Sequence, residues 1–192
     1  MLYLASKSPR RRELLAQAGV EFCFLKTFCE VEELASNDCF FSELALRNAV
    51  KKAEANSDNL LGNNDYILSS DTVIEFNERI LGKPKDLVHA KEMLLMMSGN
   101  CHSVATAVCL LGKNSKIKVV FLDVALVKFR AVSGAFIDEY LQNVHVIDKA
   151  GSYALQHHLT EQLVQEVQGD SSTVIGLPMK KLLRALENLK LY

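Results

Sequence analysis

The chain has 192 residues, a formal net charge of −1 at pH 7 and a hydrophobic content of 49%. This length fits one domain, or one with two lobes, and supports a substantial core. The near-neutral charge gives no general reason to expect nucleic acid or an acidic membrane surface as a partner, so any polyphosphate site has to be local. Cys23, Cys29, Cys39, Cys101 and Cys109 form no C-x-x-C pair and leave one thiol over. That pattern predicts reduced thiols in the cytoplasm, with Cys29 and Cys39 the candidates for exposure. No charged segment followed by a long apolar run opens the chain, and no stretch approaches a membrane span.

The apolar opening at 2–5 predicts a short strand. Ser8 then stands at an N-cap position before Pro9, which suits the first turn of a helix because its missing N–H has no partner there. Leu14, Leu15 and Ala18 give the helical stripe, and Gly19 is the stop. Arg10, Arg11 and Arg12 therefore sit beside backbone donors and the positive end of a helix, an arrangement that favours an anion. The same run also reads as a solvated face. A strand is expected near 20–25, a loop over 30–41 and a helix over 42–56. An Asn-rich break at 56–65 precedes a buried strand at 66–68. Residues 73–81 alternate as a hairpin turning at Asn77-Glu78. A helix follows over 87–97, then two β-rich stretches at 101–111 and 117–130. Ser133 caps a helix through Leu141, and a strand near 163–167 and a helix over 179–189 complete an α/β chain.

Several residues are candidates for chemistry. Asp71 follows an apolar strand and two serines, which predicts a carboxylate at a strand end, where α/β proteins place reactive groups; an Asp there also caps turns. Lys52 and Lys83 read on their own as surface lysines. Glu30, Glu32 and Glu33 read as a solvated acidic loop. In the segment 148–156, small residues permit close backbone approach, and Gln156 offers a donor and an acceptor to a base edge. A polar turn explains that composition equally. His157 and His158 have metal-ligand chemistry, but adjacent histidines usually point apart. His89 and His102 read as ordinary surface or core-edge residues.

The segment Ser6-Lys7-Ser8-Pro9-Arg10-Arg11 resembles the N-terminal signature of the Maf family, the septum-formation-inhibitor-like nucleotide pyrophosphatases. Four further blocks match in the family's order: ELALRNAVKKAEA at 43–55, Ser70-Asp71-Thr72-Val73 with Leu81-Gly82-Lys83-Pro84, Asp148-Lys149-Ala150-Gly151 through Gln156, and Val174-Ile175-Gly176-Leu177-Pro178. The resemblance spans nearly the whole chain. It implies an elongated mixed β-sheet with flanking helices and a deep inter-lobe cleft, like the inosine-triphosphate pyrophosphatases, with lobes meeting near residue 99. It also implies an enzyme that splits a nucleoside triphosphate into monophosphate and pyrophosphate, as a homodimer.

On the matching positions, the resemblance makes Asp71 the group that activates water or holds a metal, and the sequence leaves both roles open. Ser6, Ser8, Arg10, Arg11, Lys52 and Lys83 become substrate-binding residues, the cations neutralising phosphate charge. Glu33, or alternatively Glu32, becomes a second carboxylate beside Asp71 for Mg²⁺ or Mn²⁺. Arg10, Thr72 and Gln156 fall where the family divides by substrate. They match the dTTP/UTP group, whereas the group preferring 7-methylguanosine triphosphate carries Trp, Gln and Glu. The chain departs from the family at His145-Val146, Ser152, Ala154 and His157, which bears on loop shape, metal affinity and base preference. The closing motif reads as mainly structural, with Ser171 and Ser172 near the phosphates. The competing readings are a purine triphosphate pyrophosphatase on the same scaffold and a non-catalytic nucleotide-binding regulator of septum formation.

Overall fold

The computed structural model describes all residues except 26–28, 30–39, 61 and 114–117. Glu30, Glu32, Glu33 and Cys39 therefore lie outside the described residues. Among the described residues, seven strands build one mixed sheet: β1 (Leu2–Ala5), β2 (Cys23–Phe24), β3 (Tyr66–Phe76), β4 (Arg79–Leu81), β5 (Cys101–Gly112), β6 (Lys118–Phe129) and β7 (Val164–Gln168). Their order is β2-β1-β3-β5-β6-β7, with β4 beside β3. β1 runs parallel to β2 and β3, and every other pairing is antiparallel.

Helices α1 (Pro9–Gln17), α2 (Phe41–Glu54), α3 (Leu87–Met97), α4 (Gly134–Asn143) and α7 (Met179–Asn188) flank this sheet. The alternation of side chains along the strands sends neighbours to opposite faces. Leu4, Leu68, Val108 and Leu110 meet Leu14, Leu15, Leu182 and Leu186 of α1 and α7. Ala5, Ile67, Ala107 and Cys109 instead meet Ala45, Ala49 and Ala53, spaced four apart on α2. Their small side chains let α2 approach the sheet closely. Farther along the sheet, Ile74, Phe76 and Phe129 pack with Met93, Met97, Ile137 and Tyr140 of α3 and α4.

The expected ends largely hold. α1 begins at Pro9, and Gly19 adopts a φ of 70° just beyond it. Asn77 and Glu78 carry φ of 49° and 62°, the positive values of a two-residue hairpin turn. Asp86 and Ser133 cap α3 and α4 by accepting from the backbone N–H groups of His89 and Phe136. Ser8 occupies the N-cap position of α1, but its hydroxyl makes no cap bond. Two short helices, α5 (Thr160–Leu163) and α6 (Ser171–Ile175), carry too few residues for a periodic signal and were not expected.

Two expectations need correction. Asp71 is not at a strand end, because β3 continues to Phe76 while pairing with β5 along its length. The neighbour is what ends: β1 pairs with β3 only through Ala5 opposite Ser69, and β4 joins that edge at Ile74. On that edge, between β1 and β4, Ser70, Asp71, Thr72 and Val73 pair with no strand among the described residues.

His102 is the second correction. It is 2% exposed, with its ring edge-on to Phe129 and Nε2 3.0 Å from the Tyr153 hydroxyl. Burial pushes its pKa down from 6.5 to about 4. The unfolded chain therefore binds this proton below about pH 6.5, and the folded chain only near pH 4. Acidification between those values favours unfolding, by up to roughly 3 kcal/mol from this group. Urea unfolding is expected to show stability falling from pH 7 to pH 4.5, with a shallower fall in His102→Gln. An unchanged pH slope in that variant would assign the loss to other groups.

Cys23, Cys29, Cys101 and Cys109 are free thiols, and Cys29 is exposed as expected. Among the described residues, no helix is long and apolar enough to cross a membrane.

Candidate active site

A cleft of about 830 Å³ opens over the edge of β3 that is left unpaired among the described residues. Ser6, Ser8, Arg10, Arg11, Lys52, Asp71, Thr72, Lys83 and Gln156 all line it. The chain brings them together from α1, α2, the centre of β3 and three loops. Val174 and Ile175 of α6 close one side.

Asp71 stands at the floor, 6% exposed. Its Oδ1 lies 2.6 Å from the Lys52 ammonium, and its Oδ2 accepts from Asn48 Nδ2 at 3.0 Å. Lys52 is not the surface lysine its type suggests, for it is 3% exposed. Asn48 and Lys52 are four residues apart on α2 and so share a face. That face is the alanine stripe, and the close approach it permits delivers both polar side chains to β3. Two hydrogen bonds, one to each oxygen, fix the plane of the carboxylate. Asn48 was missed from sequence, although a polar pair inside a buried alanine stripe is itself a signal.

Arg11 is anchored from three sides. Its Nε donates to the Gly176 carbonyl at 2.8 Å, Nη1 to Ser6 Oγ at 3.1 Å and Nη2 to Thr72 Oγ1 at 3.3 Å. The Gly176 carbonyl also accepts from Ser70 Oγ at 2.9 Å. Gly176 has a φ of 119°, and a Cβ there would lie 3.3 Å from Thr72 Oγ1 and 3.4 Å from Arg11 Nε. The closing motif thus positions a cleft arginine, a role its composition did not reveal. Ser171 and Ser172 are not cleft residues. Ser172 Oγ instead donates to Asp170 and accepts from the Met179 N–H, joining α6 to α7.

Arg10 differs from Arg11. Its buried Nε has no hydrogen-bond partner among the described residues. Burial draws the guanidinium below its ordinary value, opposed by the charges of Asp148 and Glu13. An arginine remains charged regardless, so this buried donor stands ready for an anion entering the cleft. Asp148 also lines the cleft, a position sequence reasoning did not assign to it. Burial raises its carboxyl, but the bonded Lys149 ammonium and the Arg10 charge outweigh that and hold it below the usual range.

Lys83 is exposed at the rim, on a loop pinned from beneath. The Gly151 N–H donates to the Gly82 carbonyl at 3.2 Å, linking the two loops that carry Lys83 and Gln156. Gly151 has a φ of 68°, and a Cβ there would come within 2.6 Å of Ile74 Cδ1. Gln156 is exposed across the cleft. Contrary to expectation, the rings of His157 and His158 do not point apart but lie against each other, centroids 4.3 Å apart. No cluster of three or more His, Cys, Asp or Glu gathers among the described residues.

The cleft therefore combines a fixed buried carboxylate with cations on several walls. That set suits a reaction on a phosphate chain in which water must be oriented and departing charge held. A family model described as Maf-like protein matches residues 1–189. A dTTP/UTP pyrophosphatase of Bacillus thuringiensis subsp. konkukian is 39% identical over 191 residues, covering 99% of this chain and 96% of the relative. A protein of the same name from Bacillus anthracis matches at the same identity and coverage. Another, from Bacillus cereus strain AH187, is 38% identical over 194 residues. The chain belongs to the Maf family.

Proposed function

We propose that this protein is a nucleoside triphosphate pyrophosphatase that hydrolyses dTTP and UTP to the nucleoside monophosphate and pyrophosphate. The observation carrying this reading is the buried Asp71, held by Lys52 and Asn48 in a cleft walled by Arg10, Arg11 and Lys83. The names of the relatives and the Arg10, Thr72 and Gln156 set support the pyrimidine substrates. The resemblance extends the reading to modified pyrimidine nucleotides, and to a cytoplasmic homodimer built from one Maf-like domain over residues 1–192.

In this reading the triphosphate lies along the arginines and Lys83, with its α-phosphorus toward Asp71. A water oxygen bonds to that phosphorus while the bond to the bridging oxygen of the β-phosphate breaks. Asp71 takes the water's proton, and the carboxylate plane set by Lys52 and Asn48 keeps its basic lone pair aimed at the water. Pyrophosphate leaves with its added charge held by Arg10, Arg11 and Lys83. Positioning and charge stabilisation supply most of the acceleration.

A divalent cation, Mg²⁺ or Mn²⁺, fits this donor set. Each Asp71 oxygen holds one hydrogen bond among the described residues, which leaves a further lone pair on each. Mg²⁺ takes one or two carboxylates together with substrate phosphates and water. Asp71 would hold the ion with the triphosphate, and Glu33 is the proposed second carboxylate. When bound, the cation would screen the phosphate charge that otherwise repels the attacking water.

Pyrophosphate release with Mg²⁺ or Mn²⁺ across dTTP, UTP, CTP, GTP, ITP and 7-methylguanosine triphosphate tests the proposal. Metal-dependent release favouring dTTP and UTP is expected. Preference for a purine would overturn the substrate, and binding without release from any nucleotide would overturn the enzyme.

A further inference from the structure

A chain of hydroxyls runs from the cleft into the sheet, and its proton directions can be worked out. Arg11 Nη2 lies 3.3 Å from Thr72 Oγ1, which lies 2.9 Å from Thr106 Oγ1, which lies 2.7 Å from the Thr173 carbonyl oxygen. A guanidinium only donates and a carbonyl only accepts, while each hydroxyl has one hydrogen to give. Thr106 therefore spends its proton on the Thr173 carbonyl. In the Thr72–Thr106 contact, Thr72 must be the donor. Arg11 gives to Thr72, Thr72 to Thr106, and Thr106 to Thr173, so all donors point one way and reinforce one another.

Thr72 lines the cleft, but its only hydroxyl proton is directed away from it. Toward a bound nucleotide it presents one lone pair and no proton, the other lone pair accepting from Arg11. Such a group repels phosphate oxygens and pairs with N–H. Uracil and thymine joined to a sugar each have a single N–H, at N3, whereas cytosine has a bare acceptor at N3. We propose that Thr106, which is 0% exposed and outside the cleft, is a positioning residue for base selection. By taking the Thr72 proton, it makes Thr72 an acceptor that reads the N3–H of uracil and thymine. This rests on the dTTP/UTP reading above and adds the residue that sets the polarity.

The test compares kcat/KM for UTP and CTP in the wild-type chain, Thr106→Val and Thr106→Ser. Valine keeps the shape but removes the acceptor, which frees the Thr72 hydroxyl to turn and donate to cytosine N3. The expected result is a UTP-over-CTP ratio about tenfold lower in Thr106→Val. UTP should be used less well through KM, CTP better, with kcat for UTP within about twofold and the ratio restored in Thr106→Ser. A purely structural role would lower both nucleotides together and leave the ratio unchanged, which overturns the inference. If Thr106→Val does not fold, Thr72→Val removes the acceptor directly, and an unchanged ratio there overturns it equally. A wild-type chain with no preference for UTP over CTP would instead bring down the dTTP/UTP reading and this inference with it.

Discussion

Asp71→Asn is expected to lower kcat for pyrophosphate release from UTP by a factor of about 10² to 10⁴, the range for loss of a positioned general base. The substitution keeps the side chain's size and one oxygen to accept from the Lys52 ammonium. The new amide group then faces Asn48 Nδ2, and the clash of donors is relieved if Asn48 turns its own oxygen inward. The fold is therefore expected to persist while the proton acceptor is gone. KM should not rise, because removing a negative charge from a cationic cleft does not weaken binding of a polyanion. Loss of kcat at unchanged metal requirement identifies the base. A large rise in the Mg²⁺ concentration needed identifies a ligand. Full activity with unchanged metal dependence would remove Asp71 from the chemistry.

Lys52→Met should show the other side of the same pair. The side chains of Lys52 and Asp71 are only 4% and 9% exposed, so the carboxylate left behind keeps Asn48 but loses its counter-ion. Breaking a buried pair at one partner costs roughly 3 kcal/mol or more. Removing both charges together costs less than the two single losses added. Urea unfolding of Lys52→Met, Asp71→Asn and the double variant should therefore show a coupling of about 1 to 3 kcal/mol. Additive effects would mean that the pair is solvated and contributes little. Activity should fall in both single variants, and the double variant should not regain it, because the proton acceptor is still missing.

Much of the fold could be read from periodicity and punctuation. The strand at Leu2–Ala5, the helix beginning at Pro9, the hairpin at Asn77-Glu78 and the helix Leu87–Met97 all announce themselves through local residues. What could not be read depends on where strands stop relative to one another. Ser69, Ser70 and Asp71 look like the end of a strand because none is a strong strand former. They remain strand because β5 pairs across them, a contact made by residues nearly forty positions away. The edge beside Asp71, unpaired among the described residues, comes from the short length of β1, not from any property of Asp71.

The candidate site divides the same way. Its residue types were legible through the family resemblance, and the structure gathers all of them in one cleft except Glu33, which lies outside the described residues. Their partnerships were not. Lys52 is a typical surface residue by type and a buried one by position, because the alanines around it bring α2 against the sheet. The anchoring of Arg11 by the Gly176 carbonyl joins residues 165 positions apart. His102 is polar by type, but its ring packs edge-on against both Phe129 and Tyr153, which also touch each other, so burial decides its place.

The measurement that tests the central claim most directly is hydrolysis of UTP in ¹⁸O-labelled water, with the label located by mass spectrometry. Attack on the α-phosphorus by a water beside Asp71 places the label in UMP and none in pyrophosphate. Label in pyrophosphate, or release of inorganic phosphate in place of pyrophosphate, would contradict the account.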